Sequence, residues 1–172
     1  YALILRAWLK LLSPAFKPKT SKYSVKLSHD IDHIRSFGNW KTTLKTILKN
    51  LLHPSYLSQI SESIQGIFLP AKDPHLKGVY HLAALSKQYG YTDSAFYFLI
   101  DKQGPFGSYY DISSRAAKKC IEDLKTQGFE IGFHPGYYTF NNPLKLKEEK
   151  QRMDLVLGKT QYGGRQHYLR FQ

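Results

Sequence analysis

Apolar and polar residues alternate along two stretches of the chain. Residues 23–28 alternate and run on into His29-Asp30-Ile31-Asp32, and residues 129–134 alternate until Pro135-Gly136, where proline offers no ladder donor. Both patterns predict half-buried β-strands. The wholly apolar run over residues 95–100 predicts a buried strand, and a fourth strand is predicted over residues 165–171.

Between these strands, apolar residues recur at helical spacing. They predict helices over residues 40–52, from about Val79 to Gly90, from Ser113 or Ser114 to Gly128, and from Asn142-Pro143 to Gly158. Long helices between strands indicate a mainly parallel sheet with right-handed crossovers. The predicted fold class is therefore α/β, although four strands are too few to close a barrel.

Residues 1–12 predict an amphipathic helix with Arg6 and Lys10 beside its apolar face. The segment is too short to span a bilayer. It suits either docking on a protein domain or peripheral contact with an anionic membrane. We therefore divide the chain into an amino-terminal helix and linker, residues 1–21, and one domain, residues 22–172.

Composition fits a folded globular domain, with 42% apolar and 22% charged residues in a chain of 172. The single Cys120 excludes an internal disulfide and falls on an apolar stripe, so it is predicted to be a core residue. The chain begins at Tyr1 and ends inside a predicted strand, so we expect a fragment of a longer polypeptide. Localisation stays open on this evidence, with the cytoplasm slightly favoured.

The net charge is +12, and residues 1–52 carry ten Lys or Arg against two Asp. Such a field favours acidic partners, among them nucleic acid, anionic lipid and acidic glycans. Because the sequence has no Lys/Arg run and no nucleic-acid motif, binding to nucleic acid is not expected. Tyrosine dominates an aromatic share of 15%, which suits either a polar groove or an ordinary core.

Carboxylates and imidazoles follow the predicted strands. In an extended chain Asp30 and Asp32 point to one side, and His29 and His33 to the other. Two neighbouring carboxylates need a cation or a proton to relieve their repulsion. Together with His134 they suit Zn²⁺ or a similar ion, with one carboxylate as ligand and the other as base. The alternative is a helix-capping aspartate pair and a hydrogen-bonded histidine.

Three motifs in order resemble those of the polysaccharide deacetylase superfamily (carbohydrate esterase family 4 and relatives). They are Leu27-Ser28-His29-Asp30-Ile31-Asp32, Glu130-Ile131-Gly132-Phe133-His134-Pro135 and Arg165-Gln166-His167-Tyr168-Leu169-Arg170. The resemblance covers residues 23–172. It implies part of a distorted (β/α) barrel of the glycoside hydrolase/deacetylase type, with the carboxyl-terminal part missing. The implied activity is hydrolysis of carbohydrate N-acetyl groups with one divalent metal ion, expected to be Zn²⁺.

By motif, the resemblance makes Asp30 the catalytic base, and Asp32 and His134 metal ligands. Arg165, with Arg170 as the alternative, would pair with Asp30 and hold its carboxylate ionised. The family's late histidine, which supplies the acid, does not occur within these residues.

The chain departs from the family pattern where a second histidine is usual, four residues after the first. Tyr138 stands there, and a phenol must lose its proton to ligate well. His167 is the predicted replacement, because His29 and His33 are predicted to face away.

Tyr137 and Tyr168 are the candidate substrate-binding residues, and the backbone N–H near Tyr168 would polarise the acetamide oxygen. The competing function is a catalytically inactive relative of the same fold that binds a glycan through a tyrosine-lined groove.

Overall fold

A parallel sheet lies at the centre of the molecule. The computed structural model describes residues 2–17, 23–36, 44, 48, 64, 69–102 and 104–170. Its sheet contains β1 (Ser28–Ile31), β2 (Ala95–Leu99) and β3 (Glu130–His134), in the order β1-β2-β3 with all neighbours parallel. Because the strands run the same way, their carboxyl ends meet at one edge of the sheet.

The described residues also form α1 (Ala2–Leu12), α2 (Pro74–Gln88), α3 (Arg115–Thr126) and α4 (Pro143–Leu157). Helix α2 leads into β2, and α3 leads into β3, which is the order expected for parallel strands joined by crossovers. The fold is therefore α/β, as the sequence predicted. A closed barrel is not formed by the part of the chain that the structure describes.

Local sequence explains where these helices begin and end. The side chains of Asp73, Ser114 and Asn142 each accept a hydrogen bond from a backbone N–H in the first turn of the following helix. Each cap satisfies a donor that the helix itself leaves unpaired. Gly158 ends α4 with φ at 66°, a left-handed conformation that glycine adopts without a steric penalty. The predicted caps at Ser114 and Asn142 are confirmed.

The core joins the sheet to the apolar faces of the helices. Phe96 and Phe98 of β2 have no exposed surface, and the predicted apolar stripe of α3 packs into the same cluster. Cys120 on that stripe is fully buried, and burial raises the pKa of its thiol to about 12. It is a core residue, as predicted, and not an activated nucleophile.

Strand β1 begins later than the sequence predicted. The alternation starts at Tyr23, but Tyr23 is 92% exposed and the strand begins at Ser28. Its neighbour β2 begins at Ala95, which lies opposite Ser28. Upstream of Leu27, the described residues offer no second strand to pair with. Alternation without a pairing partner does not make a strand.

Strand β3 is buried on both faces, whereas its alternation predicted burial on one. His134 is only 2% exposed. Gly132 lies under the ring of Tyr97, where an added Cβ would come within 2.3 Å of a ring carbon and 2.5 Å of the Gly163 carbonyl oxygen. Glycine is therefore required at this position for the ring to pack against the strand.

The strand predicted over residues 165–171 does not form within the described residues. Gly164 makes a single parallel bridge to β3. The chain then turns, because Tyr168 and Leu169 adopt φ values of 57° and 51°. Residues in this left-handed region cannot continue an extended strand. His167 therefore lies on a turn beside β3, and its placement on a fourth strand was wrong.

Helix α1 leaves its apolar side chains in contact with solvent. Every residue from Leu3 to Leu12 is exposed, with Trp8 at 63% and Leu12 at 83%. None of the described helices is long and apolar enough to cross a membrane. Membrane contact and docking on a protein domain both stay predictions for this helix.

Two predicted segments lie largely outside the described residues. Of the helix predicted over residues 40–52, only Leu44 and Leu48 are described, and both are helical. Most of the linker predicted before residue 22 also lies outside them.

Candidate metal centre

Asp32, His134 and His167 come together at the carboxyl edge of the sheet. Asp32 directly follows β1, and His134 is the last residue of β3. His134 Nε2 lies 2.8 Å from His167 Nδ1 and 3.4 Å from Asp32 Oδ1, and His167 Nδ1 lies 3.6 Å from the same oxygen. The expected proximity of His167 to the other two residues is therefore observed, although a turn and not a strand provides it.

The spacing of these donors suits a tetrahedral ion. With metal–ligand distances of about 2.0–2.1 Å, neighbouring ligand atoms around zinc are roughly 3.3 Å apart. Asp32 Oδ1 is also a buried acceptor without a hydrogen-bond partner, which is costly unless a cation satisfies it. Two imidazole nitrogens and a carboxylate oxygen form a common donor set for zinc, so this group could hold a metal ion.

For Asp32 and His167, the local electrostatics favour the protonation states that ligate metals. The nearby His134 imidazole holds the pKa of the Asp32 carboxyl below its usual range, although partial burial acts in the opposite direction. Burial lowers the pKa of His167, which favours the neutral imidazole. An ionised carboxylate and neutral imidazoles are the forms that bind a divalent cation.

The tautomer of His134 follows from its hydrogen bond. Its Nδ1 lies 2.5 Å from the Arg165 carbonyl oxygen, and a carbonyl only accepts, so Nδ1 carries the proton. Nε2 is then the ring nitrogen that faces Asp32 and His167, and in the neutral imidazole it can offer its lone pair to an ion. Histidine ligands of metals are commonly oriented by such a bond from the other ring nitrogen.

The predicted partner of Asp30 is Arg165. Arg165 Nη1 lies 3.1 Å from Asp30 Oδ1 and 3.3 Å from Oδ2. The second guanidinium nitrogen donates to Ser28 Oγ, and the group lies over the ring of Tyr97 at 5.4 Å. The alternative partner, Arg170, is elsewhere: its guanidinium stacks 4.0 Å from the ring centroid of Tyr137.

An aromatic cluster borders His167 and consists of Phe106, Tyr137, Tyr138 and Tyr168. Phe106 stacks on Tyr137 with ring centroids 4.1 Å apart, and Tyr168 lies 5.5 Å from each of these rings. Tyr168 is 64% exposed and also touches His167, at 4.6 Å between centroids. Of the two candidate substrate-binding tyrosines, Tyr168 therefore contacts a candidate ligand, whereas Tyr137 contacts Tyr168.

His29 and His33, the histidines that lie near Asp32 in sequence, point away from the candidate metal centre, as the alternation predicted. His29 Nε2 lies 3.2 Å from Ser86 Oγ of α2, and burial lowers the pKa of His29. His33 stacks on Tyr109 at 4.3 Å and accepts a hydrogen bond from its backbone N–H. Tyr138, which stands where the family has its second histidine, packs beside Tyr137 in the aromatic cluster.

The sequence analysis did not identify two polar residues that contact the turn after His134. Glu149 and Gln166 both hydrogen bond to Gly136, two residues after His134. A signal for Glu149 was present in the sequence, because it precedes Met153 and Leu157 at spacings of four on the buried side of α4. A glutamate on an apolar stripe indicates a polar task in the interior.

Compared with protein-family models, with curated proteins and with solved structures, the chain has no significant match in any of the three. The resemblance to the polysaccharide deacetylases therefore depends on the three motifs, and it stays a prediction.

Proposed function

We propose that this domain is a metal-dependent hydrolase that removes N-acetyl groups from a carbohydrate, with its sheet forming part of a distorted (β/α) barrel. The observation that carries the proposal is the convergence of Asp32, His134 and His167 with a carboxylate–guanidinium pair, Asp30 and Arg165, at the same sheet edge. A carboxylate base beside a carboxylate and imidazole metal site suits hydrolysis of an unactivated amide.

Asp32, His134 and His167 would hold the ion and leave a fourth position open, as catalytic zinc sites do. When bound, a divalent ion supplies Lewis-acid activation of water and of the acyl carbonyl. The rest of the chemistry belongs to the side chains and backbone of the chain.

Asp30 is the proposed base that takes a proton from the attacking water. It returns that proton to the leaving amine nitrogen as the C–N bond breaks, which restores the carboxylate. Arg165 contacts both oxygens of this carboxylate and is itself held by Ser28, so the base has a fixed orientation.

The backbone N–H of Tyr168 is proposed to donate to the acyl oxygen as negative charge develops there. The largely exposed ring of Tyr168 offers an apolar face for contact with a sugar ring. Tyr137 supports that ring from behind, because its own faces are covered by Phe106 and Arg170.

The second candidate function is glycan binding without catalysis, and the aromatic cluster favours it, because Tyr138 and Tyr168 in that cluster are exposed. A cluster of this kind binds sugar rings by contact and has no need of a metal. The two functions therefore differ in their sensitivity to chelators, which strip the metal and leave the aromatic rings in place.

The test combines metal content with acetate release from N-acetylglucosamine oligomers. We expect about one zinc per chain in the wild type, loss of zinc in Asp32→Ala, and retention of zinc without turnover in Asp30→Asn. A ligand's removal empties the site, whereas removal of the base leaves the water unactivated. Asp93→Asn, an exposed aspartate near the start of β2, is the matched control.

Equal zinc content in wild type and Asp32→Ala would show that Asp32 is not a ligand and would refute the proposed metal centre. Glycan binding that survives chelation, with no acetate released from any N-acetylated oligosaccharide, would establish the binding function in its place.

A further inference from the structure

Glu149 is a buried carboxyl group outside the candidate ligand set. It lies on α4 and is 3% exposed. Burial, opposed in part by a hydrogen bond from Gly136, raises the pKa of Glu149 to about 7. An apolar side chain would occupy this helix position at a lower desolvation cost. The carboxyl group therefore has a polar task.

That task is contact with the turn that follows His134. Glu149 Oε2 accepts a hydrogen bond from the backbone N–H of Gly136 at 2.7 Å, while Oε1 is buried without a hydrogen-bond partner. Gly136 is also packed against Asp101, where an added Cβ would lie 2.3 Å from the Asp101 Cβ. The Gly136 peptide is thus held from the α4 side and cannot shift toward β2.

The same residue is held through its carbonyl group by Thr139 and by the segment that carries His167. The carbonyl oxygen of Gly136 accepts from Gln166 Nε2 at 3.0 Å and from Thr139 Oγ1 at 2.7 Å. The backbone N–H of His167 donates to Pro135 O at 3.2 Å. Two hydrogen bonds therefore connect the turn after His134 to Gln166 and His167.

We propose that Glu149 and Gln166 are positioning residues of the metal centre, which fix the separation of the His134 and His167 imidazoles. Glu149 fixes Gly136 by accepting from its backbone N–H. Gln166 donates to the carbonyl oxygen of Gly136 and so fixes the position of the adjacent His167 relative to that residue. The inference rests on the proposed function, because it concerns the affinity of the same metal site. Loss of a residue that hydrogen bonds directly to a ligand typically weakens metal binding by about 10- to 100-fold. These two residues act one contact further out, so a loss at the lower end of that range is expected.

The experiment measures zinc affinity of the full chain by chelator competition, together with the absorption spectrum of the Co²⁺ form. We expect Glu149→Leu to weaken zinc binding by about tenfold or more and to change the cobalt spectrum. Glu149→Gln should retain the wild-type affinity, because the amide oxygen still accepts from Gly136. Glu148→Leu, at the exposed neighbouring position, should change neither readout.

Gln166→Leu provides an independent variant, because Gln166 is only half-buried and its loss leaves no buried charge. We expect the same fall in zinc affinity, and this variant decides the matter if Glu149→Leu fails to fold. Wild-type affinity and an unaltered cobalt spectrum in folded Gln166→Leu would overturn the inference. A wild-type chain that binds no zinc would refute the proposed function as well, so the two failures are distinguishable.

Discussion

Arg165 connects the two parts of the candidate site through different atoms. Its guanidinium contacts the Asp30 carboxylate, while its backbone carbonyl accepts the Nδ1–H of His134. A substitution such as Arg165→Met removes the first contact and leaves the second available. The orientation of the proposed base and the orientation of a proposed ligand are therefore separable by mutation at one position.

The buried carboxyl group of Glu149 predicts how the stability of the fold depends on pH. Its pKa is raised from 4.5 to about 7 by burial, so the folded chain holds a proton that the unfolded chain releases. Stability from this group is fully present below about pH 4.5 and is lost as the pH rises through 7. Glu149→Gln lacks this titration. We expect its stability relative to wild type to increase by about 2–3 kcal/mol between pH 5 and pH 8.

Urea unfolding of both chains at the two pH values, with chelator present, measures this difference. The charged groups that face Glu149 are Asp101, after β2, and Lys145 and Arg152 on α4. They are common to both chains, so their own effects largely cancel in the comparison. A difference in stability that is the same at both pH values would show that Glu149 ionises in the fold as it does in water.

At the scale of elements, α1 differs from the described helices α2, α3 and α4, each of which buries side chains in the core. Its apolar residues are exposed, and the sequence has no acidic residue before Asp30 but six basic ones, Arg6, Lys10, Lys17, Lys19, Lys22 and Lys26. Apolar side chains with basic neighbours suit the interface of an anionic bilayer. We predict that the full chain binds vesicles containing anionic phosphatidylglycerol and binds zwitterionic phosphatidylcholine vesicles much more weakly.

Matched leucines provide the control for vesicle sedimentation. Leu12 on α1 and Leu155 on α4 are 83% and 85% exposed. We expect Leu12→Glu to reduce binding several-fold, because it places a charge at the apolar contact, and Leu155→Glu to bind less strongly only through its altered net charge. Equal losses in the two variants would indicate nonspecific electrostatic binding. No vesicle binding at all would favour docking of α1 on a protein domain.

For the molecule as a whole, a bound ion would link segments far apart in sequence. The candidate ligands follow β1, end β3 and lie on the turn after Gly164. An ion that binds only the folded chain, at 100 times its dissociation constant, stabilises it by about 2.7 kcal/mol. For a domain of this size we predict that chelation lowers the melting temperature by about 5–10 °C.

Differential scanning fluorimetry of the zinc-loaded and chelated chain measures this shift. Asp32→Ala should melt at the same temperature with and without chelator, while Asp93→Ala should retain the wild-type difference. A shift that persists in Asp32→Ala would place the stabilising ion at another site.

The sequence by itself determined most of the helices and the buried central strand. Caps at Ser114 and Asn142 and the apolar stripe around Cys120 are local features, and each acts within one or two helical turns. Strand ends were also readable where proline and glycine interrupt an alternation, as after His134. Because parallel strands bring their carboxyl ends together, the proximity of Asp32 to His134 followed from topology.

Tertiary structure alone decided the features that depend on partners distant in the chain. The start of β1 was set by where β2 begins, and the burial of Gly132 was set by the Tyr97 ring. The turn at Tyr168 and the ties from Glu149 and Gln166 to Gly136 leave little trace in local periodicity. The physical reason is that hydrogen bonds and close contacts between remote segments override the weak conformational preferences of single residues.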